Sequence, residues 1–318
     1  MFKVPSAPGG AAILSFGEYQ PSQVVTNADL EARVDTTDEW IQSRVGIRER
    51  RIAGPEDTVA SMAVAAGGKA LAASGLSPED IDLVIVATCT VQDQIPNTAA
   101  TVATRLGIVA PGAFDLNAAC AGFVYALGLA SDSVRVGSAR NVLVIGSEKL
   151  SDWVDWEDRS TCVIFADGAG AAVVSASEDH GIGPVVWGSS GDRADKIYLR
   201  EGKYLYQEGQ AVFRWTTTEL YKVALEALER AGVEPSELTA FVPHQANLRI
   251  VESIARKLGA PQALVARDIV TAGNTSSASV PLALSRMIER GELPSGSTVL
   301  TLGFGAGLVY AAQVIRIP

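Results

Sequence analysis

The sequence predicts an α/β fold built from two similar halves. Apolar runs of strand length alternate with segments of helical periodicity along the 318 residues, which is typical of mixed α/β architecture. The second half of the chain also repeats the pattern of the first half at a constant offset. We therefore expect one topology to occur twice, with the two copies packed face to face around a pseudo-twofold axis.

The repeat links two segments that are far apart in the chain. "ALAASGLSPEDIDLVIVA" begins at Ala70 and "ALERAGVEPSELTAFVPH" begins at Ala227, so matching residues lie 157 positions apart (227 − 70). The same offset continues without a gap and pairs Asn117 with Asn274. A period this long excludes a solenoid of short repeats. Equivalent loops of the two halves are expected to converge on one site.

The predicted strands are continuous apolar runs. They read "IDLVIVATC", "NVLVIGS", "AAVVSA", "LTAFVPH" and "TVLTLGF". Runs of this kind occur in sheets that are covered by helices on both faces. Each half is expected to run helix, loop with proline, buried strand, loop, strand-to-helix turn, buried helix and strand.

Composition excludes several classes of protein. The net charge of −10 argues against nucleic acid as a general partner. No apolar run reaches membrane-spanning length, and "MFKVPSAPGGAAILSFGEYQP" lacks the layout of a signal peptide. The three cysteines (Cys89, Cys120 and Cys162) have no metal-ligand spacing and cannot all pair. These features predict a globular cytoplasmic protein without a metal site.

Cys120 lies where a predicted strand turns into a predicted helix. The segment "GAFDLNAA" precedes it, and Phe123, Val124, Leu127 and Val134 follow it at helical spacing. A free cysteine is often simply a small buried hydrophobe. A helix N-terminus, however, lowers the pKa of a thiol and favours a nucleophilic thiolate. The choice depends on whether the chain provides partners for Cys120.

Three other segments supply such partners. His244 ends the strand "LTAFVPH", where α/β folds place active sites, whereas His180 lies in a polar loop. Asn274 precedes a buried helix in "TAGNTSSASVPLAL", and "GFGAG" at residues 303–307 follows the last predicted strand. Each feature alone has a structural explanation, as a bonded histidine, a turn asparagine or a tight turn. Together they form a set that is suited to acyl transfer.

At this point the motifs resemble the β-ketoacyl-acyl-carrier-protein synthase III family of condensing enzymes, within the thiolase-fold superfamily. The resemblance covers essentially the whole chain. It rests on "TTDEWIQSRVGIRERR", "DLNAACAGF", "DRSTCVIFADGAGAAVV", "EGQAVFRW", "VPHQANLRI", "GNTSSASVPLAL" and "GFGAGL". It implies a thiolase-like fold, with two pseudo-repeated halves in a five-layer αβαβα sandwich. We expect the nucleophilic cysteine in a first half, residues 1–175, and the His and Asn in a second half, residues 176–318.

The resemblance also implies a two-step reaction without metal or redox cofactor. Cys120 takes the acyl group of an acyl-CoA, which is a substrate. His244 and Asn274 then bind the thioester oxygen of malonyl-acyl carrier protein, whose decarboxylation gives the enolate that attacks acyl-Cys120. The backbone N–H of Ala306 is expected to contribute to the oxyanion hole with that of Cys120, while Phe304 presses on the departing carboxylate.

Two surface regions are assigned by the same resemblance. The residues that match the CoA channel are Thr36, Trp40, Arg44, Arg159, Phe213 and Asn247, and Trp40 and Arg159 are expected to sandwich the adenine. The expected docking patch for the acidic carrier protein is Arg214, Arg249, Arg256 and Lys257; Arg249 and Arg256 are seven positions apart, on one helix face. A homodimer is implied, in which residues near Gln94 and Ile95 reach into the partner's pocket.

Other functions fit some of these observations. An acyltransferase of the same fold would keep the acylation of Cys120 and pass the acyl group to a non-malonyl acceptor. A non-catalytic scaffold would only bind acyl carriers, and the presence of every expected catalytic residue argues against it. The condensation product would enter fatty acid or polyketide synthesis.

Overall fold

Two five-stranded sheets form the centre of the computed structural model, which describes residues 9–318. The strands are β1 (Gly10–Tyr19), β2 (Gln23–Thr26), β3 (Glu49–Ile52), β4 (Leu83–Ala87), β5 (Gly112–Leu116), β6 (Asn141–Lys149), β7 (Asp167–Ser177), β8 (Val186–Ser189), β9 (Ile197–Arg200), β10 (Tyr204–Gln207), β11 (Ala240–Pro243), β12 (Leu264–Val265), β13 (Thr298–Gly305) and β14 (Val309–Arg316). The first sheet has the order β1-β7-β6-β4-β5 and the second has the order β12-β11-β13-β14-β8.

Helices cover both faces of both sheets. They are α1 (Asn27–Glu31), α2 (Asp38–Val45), α3 (Val59–Ser74), α4 (Thr98–Arg105), α5 (Gly122–Arg135), α6 (Gly209–Ala231), α7 (Leu248–Ala255), α8 (Ile269–Ala272) and α9 (Ser279–Glu289). Short 3₁₀ turns precede two of them, Ala119–Ala121 before α5 and Ser276–Ala278 before α9.

The hydrophobic core defines five layers. Helices α5 and α9 lie between the two sheets, and their buried side chains pack with those of β4, β6, β11 and β13. Helices α3 and α4 cover the outer face of the first sheet, while α6 and α7 cover that of the second sheet. The order is therefore α, β, α, β, α. This confirms the α/β fold and the layering that the sequence predicts.

The internal repeat corresponds to equivalent elements. Helices α5 and α9 begin 157 residues apart (279 − 122), and β6 and β13 begin at the same offset (298 − 141). The two 3₁₀ turns before the helices also match at this offset. The predicted boundary between residues 175 and 176 falls inside β7, two residues before that strand ends. We retain the division into residues 1–175 and 176–318 as a proposal.

Strand direction brings several chain segments to one crevice. In the first sheet β4 runs parallel to β5 and to β6, so their carboxyl ends lie at the same edge. In the second sheet β11 runs parallel to β13. Loops at the carboxyl ends of parallel strands are where open α/β folds bind ligands. Cys120 follows β5 and His244 follows β11, as expected from the sequence.

A smaller cluster of elements lies over this crevice. Strands β2 and β3 form a two-stranded antiparallel sheet that packs with α1, α2 and the segment 162–165 around its own apolar core. Arg50 is fully buried there and donates to the carbonyls of Val25 and Val163 and to Asn27 Oδ1. Asn27 Nδ2 in turn donates to Asp38 Oδ1 of α2 at 2.7 Å, which ties this cluster to the helix that carries two of the residues expected to bind CoA.

Some expectations about elements need correction or lie partly outside the structure. The strand predictions omitted the two-stranded sheets β2–β3 and β9–β10, which carry many polar and charged residues and lack long apolar runs. The first eight residues of the segment expected not to be a signal peptide lie outside the described residues. Within residues 9–318, no helix has the length and apolar character that crossing a membrane requires.

Candidate active site

Cys120 lies in a tight turn between β5 and α5. Ala119, just before it, has a φ of 45°, which is rare for a residue with a side chain. Asn117 Oδ1 accepts the backbone N–H of Ala119 at 3.2 Å and supports this conformation. Cys120 lies inside the 3₁₀ turn, two residues before α5 begins, at the strand-to-helix junction that the sequence predicts.

The same turn occurs again in the second half. Ser276 matches Ala119 in the repeat and has a φ of 51°. Asn274 Oδ1 accepts the backbone N–H of Ser276 at 2.9 Å, as Asn117 does in the first copy. Because the oxygen of the Asn274 amide is engaged in this way, its NH₂ group remains available to donate to a ligand.

Backbone hydrogen bonds tie Asn274 to the first half of the chain. Its N–H donates to the carbonyl of Ile164 at 3.0 Å, and its carbonyl accepts the N–H of Ala166 at 2.9 Å. These bonds form an isolated parallel bridge between Phe165 and Asn274. Ser276 Oγ, two residues further on, lies 3.3 Å from Cys120 Sγ. Asn274 and Cys120 are thus brought together although they are distant in sequence.

His244 is buried at the end of β11, with 1% of its surface exposed. Its Nδ1 lies 2.7 Å from Ser279 Oγ, and the ring of Phe304 meets it edge-on at 5.1 Å between centroids. Burial lowers the pKa of His244 to about 3, so the imidazole is neutral at physiological pH. A neutral imidazole acts here as a hydrogen-bond donor or acceptor and carries no charge.

The loop after β13 closes on the nucleophile. A Cβ added to Gly305 would lie 2.8 Å from the backbone N of Cys120, which is closer than real Cβ contacts. Glycine at this position therefore allows the two backbones to approach. Ala306 is the next residue, and it is not among the residues with positive φ. Its methyl group fits the turn without the strain that a left-handed conformation would impose.

The expectation that the helix lowers the pKa of Cys120 is wrong. Burial raises the pKa of this thiol to about 12; the bond to Ser276 lowers it, and the carboxylate of Glu148 raises it. The cost of burying a thiolate exceeds the benefit of the helix N-terminus. Cys120 is therefore a thiol at neutral pH, and its proton must leave when it attacks.

A buried carboxylate that the sequence analysis missed lies next to Cys120. Glu148, near the end of β6, has no exposed surface. Six neutral groups contact its two oxygens: Thr88 Oγ1 at 3.1 Å, Cys89 N at 3.1 Å, Cys89 Sγ at 3.4 Å, Thr90 Oγ1 at 2.7 Å, Ser276 Oγ at 3.0 Å and Ser277 Oγ at 2.9 Å. The sequence analysis missed Glu148 because a charged residue that follows an apolar run is usually exposed, and nothing in the pattern indicates that this one points inward.

The residues expected to bind CoA form a chain of contacts over the crevice. The Arg159 guanidinium lies 5.1 Å from the Trp40 ring centroid, and that of Arg44 lies 5.8 Å from it. Asn247 Nδ2 donates to the carbonyl of Arg44 at 3.1 Å. Thr36 follows Asp35, whose carbonyl accepts from Arg159 at 2.6 Å. Three chain segments that are separate in sequence therefore meet at one surface.

Helix caps position two members of this group, Trp40 and Asn247. Thr37 caps α2 by accepting the N–H of Trp40 at 3.1 Å, which fixes where the indole lies. Asn247 caps α7 and accepts the N–H of Arg249 at 2.9 Å. Phe213 lies on α6, where the guanidinium of Arg249 is 5.2 Å from its ring centroid. Asn247 keeps one amide N–H free for a ligand.

Trp40 and Arg159 are too close to hold an adenine between them. Two aromatic contacts of about 3.5–4.0 Å require a gap of roughly 7 Å, whereas the guanidinium lies 5.1 Å from the indole centroid. The expected sandwich is therefore not formed in this structure. Arg159 has 48% of its side chain exposed, and a base would first displace it from Trp40 and from the Asp35 carbonyl.

The predicted docking residues lie on the outer helices. Arg214 is on α6, Arg249 is on α7, and Arg256 and Lys257 follow the end of α7 at Ala255; all four are exposed. The helix thus ends one residue earlier than a face through Arg256 requires, although Arg256 keeps a helical conformation. Lys257 donates to the carbonyl of Thr217 and lies over the ring of Tyr221. It is the least available of the four cations.

Metal binding has no support in the part of the chain that the structure describes. There, no group of three or more His, Cys, Asp or Glu side chains is arranged to hold a metal ion. The cysteines are also unpaired as disulfides. The groups that the described crevice presents are a thiol, neutral hydrogen-bond donors and a carboxylate.

Comparison with known proteins identifies the family. The family model described as 3-Oxoacyl-[acyl-carrier-protein (ACP)] synthase III matches residues 114–191, and the model of its C-terminal part matches residues 228–317. The chain is 55% identical to "Beta-ketoacyl-[acyl-carrier-protein] synthase III 4" of Streptomyces coelicolor, over 97% of this chain and 99% of that protein.

Solved structures agree with this assignment. The priming β-ketosynthase from the R1128 polyketide biosynthetic pathway superimposes with a TM-score of 0.97 at 43% identity, over 100% of this chain and 98% of that chain. The 3-oxoacyl-[acyl-carrier-protein] synthase III of Aquifex aeolicus gives 0.94 at 45% identity, over 96% of this chain and 100% of that chain. The protein, with its two-sheet fold and its crevice of Cys120, His244 and Asn274, belongs to the 3-oxoacyl-[acyl-carrier-protein] synthase III family.

Proposed function

We propose that the protein joins an acyl-CoA primer to malonyl-acyl carrier protein with loss of CO₂. The product is a β-ketoacyl-carrier protein that starts fatty acid or polyketide synthesis. One observation carries the proposal: a nucleophilic thiol and two neutral hydrogen-bond donors, His244 and Asn274, are positioned at the same crevice in a protein of this family.

The first step is transfer of the acyl group to Cys120. The sulfur attacks the thioester carbonyl, CoA leaves as the thiol, and an acyl-cysteine remains. Backbone N–H groups of Cys120 and Ala306 are proposed to stabilise the oxyanion. The loop after β13 supports this role because Gly305 packs directly against the backbone of Cys120. Loss of one such donor typically costs about 2.7–4 kcal/mol of transition-state stabilisation.

The second step is decarboxylation of the malonyl group. His244 and the amide NH₂ of Asn274 are proposed to donate to the malonyl thioester oxygen, which becomes the enolate oxygen as CO₂ departs. Neutral donors suit this step because a cationic histidine would bind the malonate carboxylate and hold it in place. Phe304 has 2% of its surface exposed and is proposed to keep the departing carboxylate in an apolar setting. The enolate carbon then attacks the acyl group on Cys120.

Substrate binding follows from the surface residues. Thr36, Trp40, Arg44, Arg159, Phe213 and Asn247 are proposed to bind CoA. Thr36 Oγ1 supports this role because it is buried without a hydrogen-bond partner. Arg214, Arg249, Arg256 and Lys257 are proposed to dock the acidic carrier protein. The reaction needs no metal or redox cofactor, and we propose none.

We also propose that the protein is a homodimer in the cytoplasm. Strand β5 forms an edge of the first sheet, where unpaired backbone groups are a template for a second strand. Phe114 on β5, Val109 just before it and Ile95 expose 38%, 72% and 90% of their surface. Analytical ultracentrifugation that finds only monomers would contradict this part. A reducing compartment suits the free thiols.

The proposal is tested by intact-mass measurement with a panel of acyl-CoAs, followed by malonyl-acyl carrier protein. We expect a mass increase on Cys120 that malonyl-acyl carrier protein removes as a β-ketoacyl product. The Cys120→Ser variant should show no increase, because an alcohol lacks the nucleophilicity of a thiol. An adduct that only another acceptor discharges would indicate the acyltransferase alternative. A protein that no acyl donor labels would indicate the scaffold.

A further inference from the structure

We propose that Glu148, acting through Ser276, takes the proton of Cys120 during acylation; the identity of the acyl donor in this step rests on the proposed function. The starting point is a line of three polar atoms. Ser276 Oγ lies 3.3 Å from Cys120 Sγ and 3.0 Å from Glu148 Oε1. Its hydroxyl is thus the link between a nucleophile and a buried carboxylate.

The number of hydrogens that each group can donate fixes the direction of these hydrogen bonds in the resting protein. A carboxylate only accepts hydrogen bonds, and a serine hydroxyl has a single hydrogen. Bonds to a charged acceptor are stronger than bonds to a neutral one, so Ser276 donates to Glu148. Toward Cys120 the serine oxygen then presents only lone pairs, and the thiol hydrogen is directed to it. The Cys120 thiol thus donates to Ser276 Oγ, and the Ser276 hydroxyl donates to the carboxylate of Glu148.

This arrangement moves a proton without moving any heavy atom far. As the sulfur attacks the thioester carbonyl, the Cys120 hydrogen passes to Ser276 Oγ and the original Ser276 hydrogen passes to Glu148 Oε1. Ser276 then donates to the sulfur of Cys120. This agrees with the hydrogen bond from Ser276, which lowers the pKa of the Cys120 thiol. When the C–S bond to CoA breaks, the proton returns through Ser276 to the CoA sulfur. The net change is one hydrogen moved from Cys120 to CoA.

The backbone of Ser276 is strained in a way that serves this contact. A φ of 51° is unfavourable for serine. The conformation holds the hydroxyl between Glu148 and Cys120, and Asn274 Oδ1 supports it through the Ser276 N–H. Strain of this kind persists where the surroundings fix it, and it concentrates at functional sites.

Neither of the other titratable groups around Cys120 supplies this base. His244, after β11, is bonded to Ser279 through Nδ1, and burial lowers its pKa to about 3. Cys89, after β4, is itself a thiol in contact with Glu148 at 3.4 Å, and burial raises its pKa well above the usual value. Among the residues that the structure describes, Ser276 is the one whose side chain forms a hydrogen bond with Cys120 Sγ. Glu148 is thus a positioning residue and proton acceptor that acts through Ser276.

The chain offers a matched pair of variants to test this. Ser276 and Ser277 are adjacent, and their hydroxyls lie 3.0 and 2.9 Å from the same oxygen of Glu148. Ser277 Oγ reaches the carbonyl of Ala87 at 2.9 Å and does not contact Cys120. Ser276→Ala therefore removes the link, while Ser277→Ala removes a similar bond to the carboxylate and leaves the link intact. Glu148→Gln removes the acceptor charge.

The measurement is the pH dependence of Cys120 reactivity. Two reactions are followed between about pH 6.5 and 8.5: single-turnover acylation by the acyl-CoA that labels the wild type best, and alkylation by iodoacetamide. Peptide mass mapping assigns the label to Cys120. The second reaction needs no acyl-CoA, so it tests the relay even if the proposed acyl donor is wrong.

With the relay, both wild-type rates should be nearly independent of pH, because the proton goes to Glu148. Ser276→Ala and Glu148→Gln should be at least tenfold slower in acylation at pH 7. Their rates should then rise about tenfold per pH unit, following the thiolate fraction of a thiol far below its pKa. Ser277→Ala should behave as wild type.

Three results would overturn the proposal. The first is a wild-type rate that already rises tenfold per pH unit, since the thiolate would then form without the relay. The second is a Ser276→Ala protein with the wild-type rate and profile. The third is a Ser277→Ala protein as impaired as Ser276→Ala, which would mean that the serines only support the Glu148 cluster.

Discussion

Ser279 Oγ lies 2.7 Å from Nδ1 of His244, in a site where both side chains are buried. The same oxygen accepts the backbone N–H of Gln245 at 3.2 Å. If His244 Nδ1 carried the proton, the serine hydrogen would be left without an acceptor in the interior, which is costly. Ser279 therefore donates to Nδ1, and the proton of the neutral imidazole resides on Nε2. This is the tautomer that can donate to a thioester oxygen.

We predict that Ser279→Ala impairs malonyl decarboxylation and spares acylation. Loss of the bond leaves Nδ1 unpaired and the tautomer undefined, and one buried hydrogen bond of about 1–1.5 kcal/mol corresponds to a five- to tenfold loss. The two half-reactions are measured separately, by acyl-enzyme formation and by CO₂ release. Ser285→Ala, at another buried serine of α9, is the control. Equal losses in both half-reactions would contradict the assigned role.

The low pKa of His244 predicts an acid-dependent loss of stability. The unfolded chain binds a proton at His244 below pH 6.5, whereas the folded protein binds it only near pH 3. Stability therefore falls as the pH drops through this window, by about 2 kcal/mol between pH 7.5 and 5. Urea unfolding at pH 7.5 and 5 should show this loss for wild type relative to His244→Gln. The control is His180→Gln, at the exposed histidine, which should lose as much stability between pH 7.5 and 5 as wild type does. An equal loss of stability in His244→Gln would refute the prediction.

Gly305→Ala should displace the nucleophile. The added methyl group would lie 2.8 Å from the Cys120 backbone N and 2.9 Å from its Cβ. Overpacking of this kind costs about 1–3 kcal/mol, and we expect at least a hundredfold loss of acyl-enzyme formation. Gly191→Ala is the control, because no atom lies within 4 Å of the added carbon there. Wild-type acylation by the Gly305→Ala protein would show that the contact is not tight.

Trp40→Ala should raise the KM for acyl-CoA about tenfold with little effect on kcat. A stacked base contributes about 1–3 kcal/mol, and the indole is held toward Arg159 and Arg44. An acyl-N-acetylcysteamine thioester lacks the adenine and should be used equally well by both proteins. Trp156→Ala, where Arg33 lies over the ring at 5.5 Å, controls for loss of an Arg–Trp pair. If Trp40→Ala also raised the KM for the acyl-N-acetylcysteamine thioester about tenfold, the defect would come from altered folding and not from lost stacking on the adenine.

Arg256→Glu should weaken use of malonyl-acyl carrier protein and leave acylation by acyl-CoA unchanged. Arg256 is exposed at the end of α7, whereas Arg249 contacts Phe213 and would disturb both substrates. We expect a several-fold higher KM for the carrier protein and a shallower dependence on salt, because attraction between exposed charges is screened. Arg230→Glu, at the far end of α6, is the charge-matched control. An unchanged KM would remove Arg256 from the docking surface.

The sequence alone predicted the parts of the site that depend on chain direction. Cys120, His244 and Asn274 each follow or precede an element whose periodicity is clear, and the constant offset relates the turns that bear Cys120 and Asn274. Glu148 could not be predicted in this way. Its buried position depends on donors from two separate segments, 88–90 and 276–277, and nothing in "NVLVIGSEK" indicates that the carboxylate points inward.

Conformational details were also beyond the sequence. The positive φ of Ser276 follows from packing of the 3₁₀ turn against the first sheet, since serine has no preference for that conformation. The contact between Arg159 and Trp40 depends on the path of the loop after β6. Whether the pKa of Cys120 is raised or lowered depends on how deeply its turn is buried. The sequence indicates where the helix begins but not how deeply that turn is buried.

The backbone bridge between Asn274 and the segment 164–166 has a consequence for how the protein works over time. Asn274 comes from the second half of the chain, yet its amide and carbonyl are clamped to strand-like backbone of the first half. A hinge that opened the crevice between the two halves would have to break both bonds. We therefore expect the two halves to keep their relative position while the acyl carriers exchange at the crevice, without a hinge motion at this bridge.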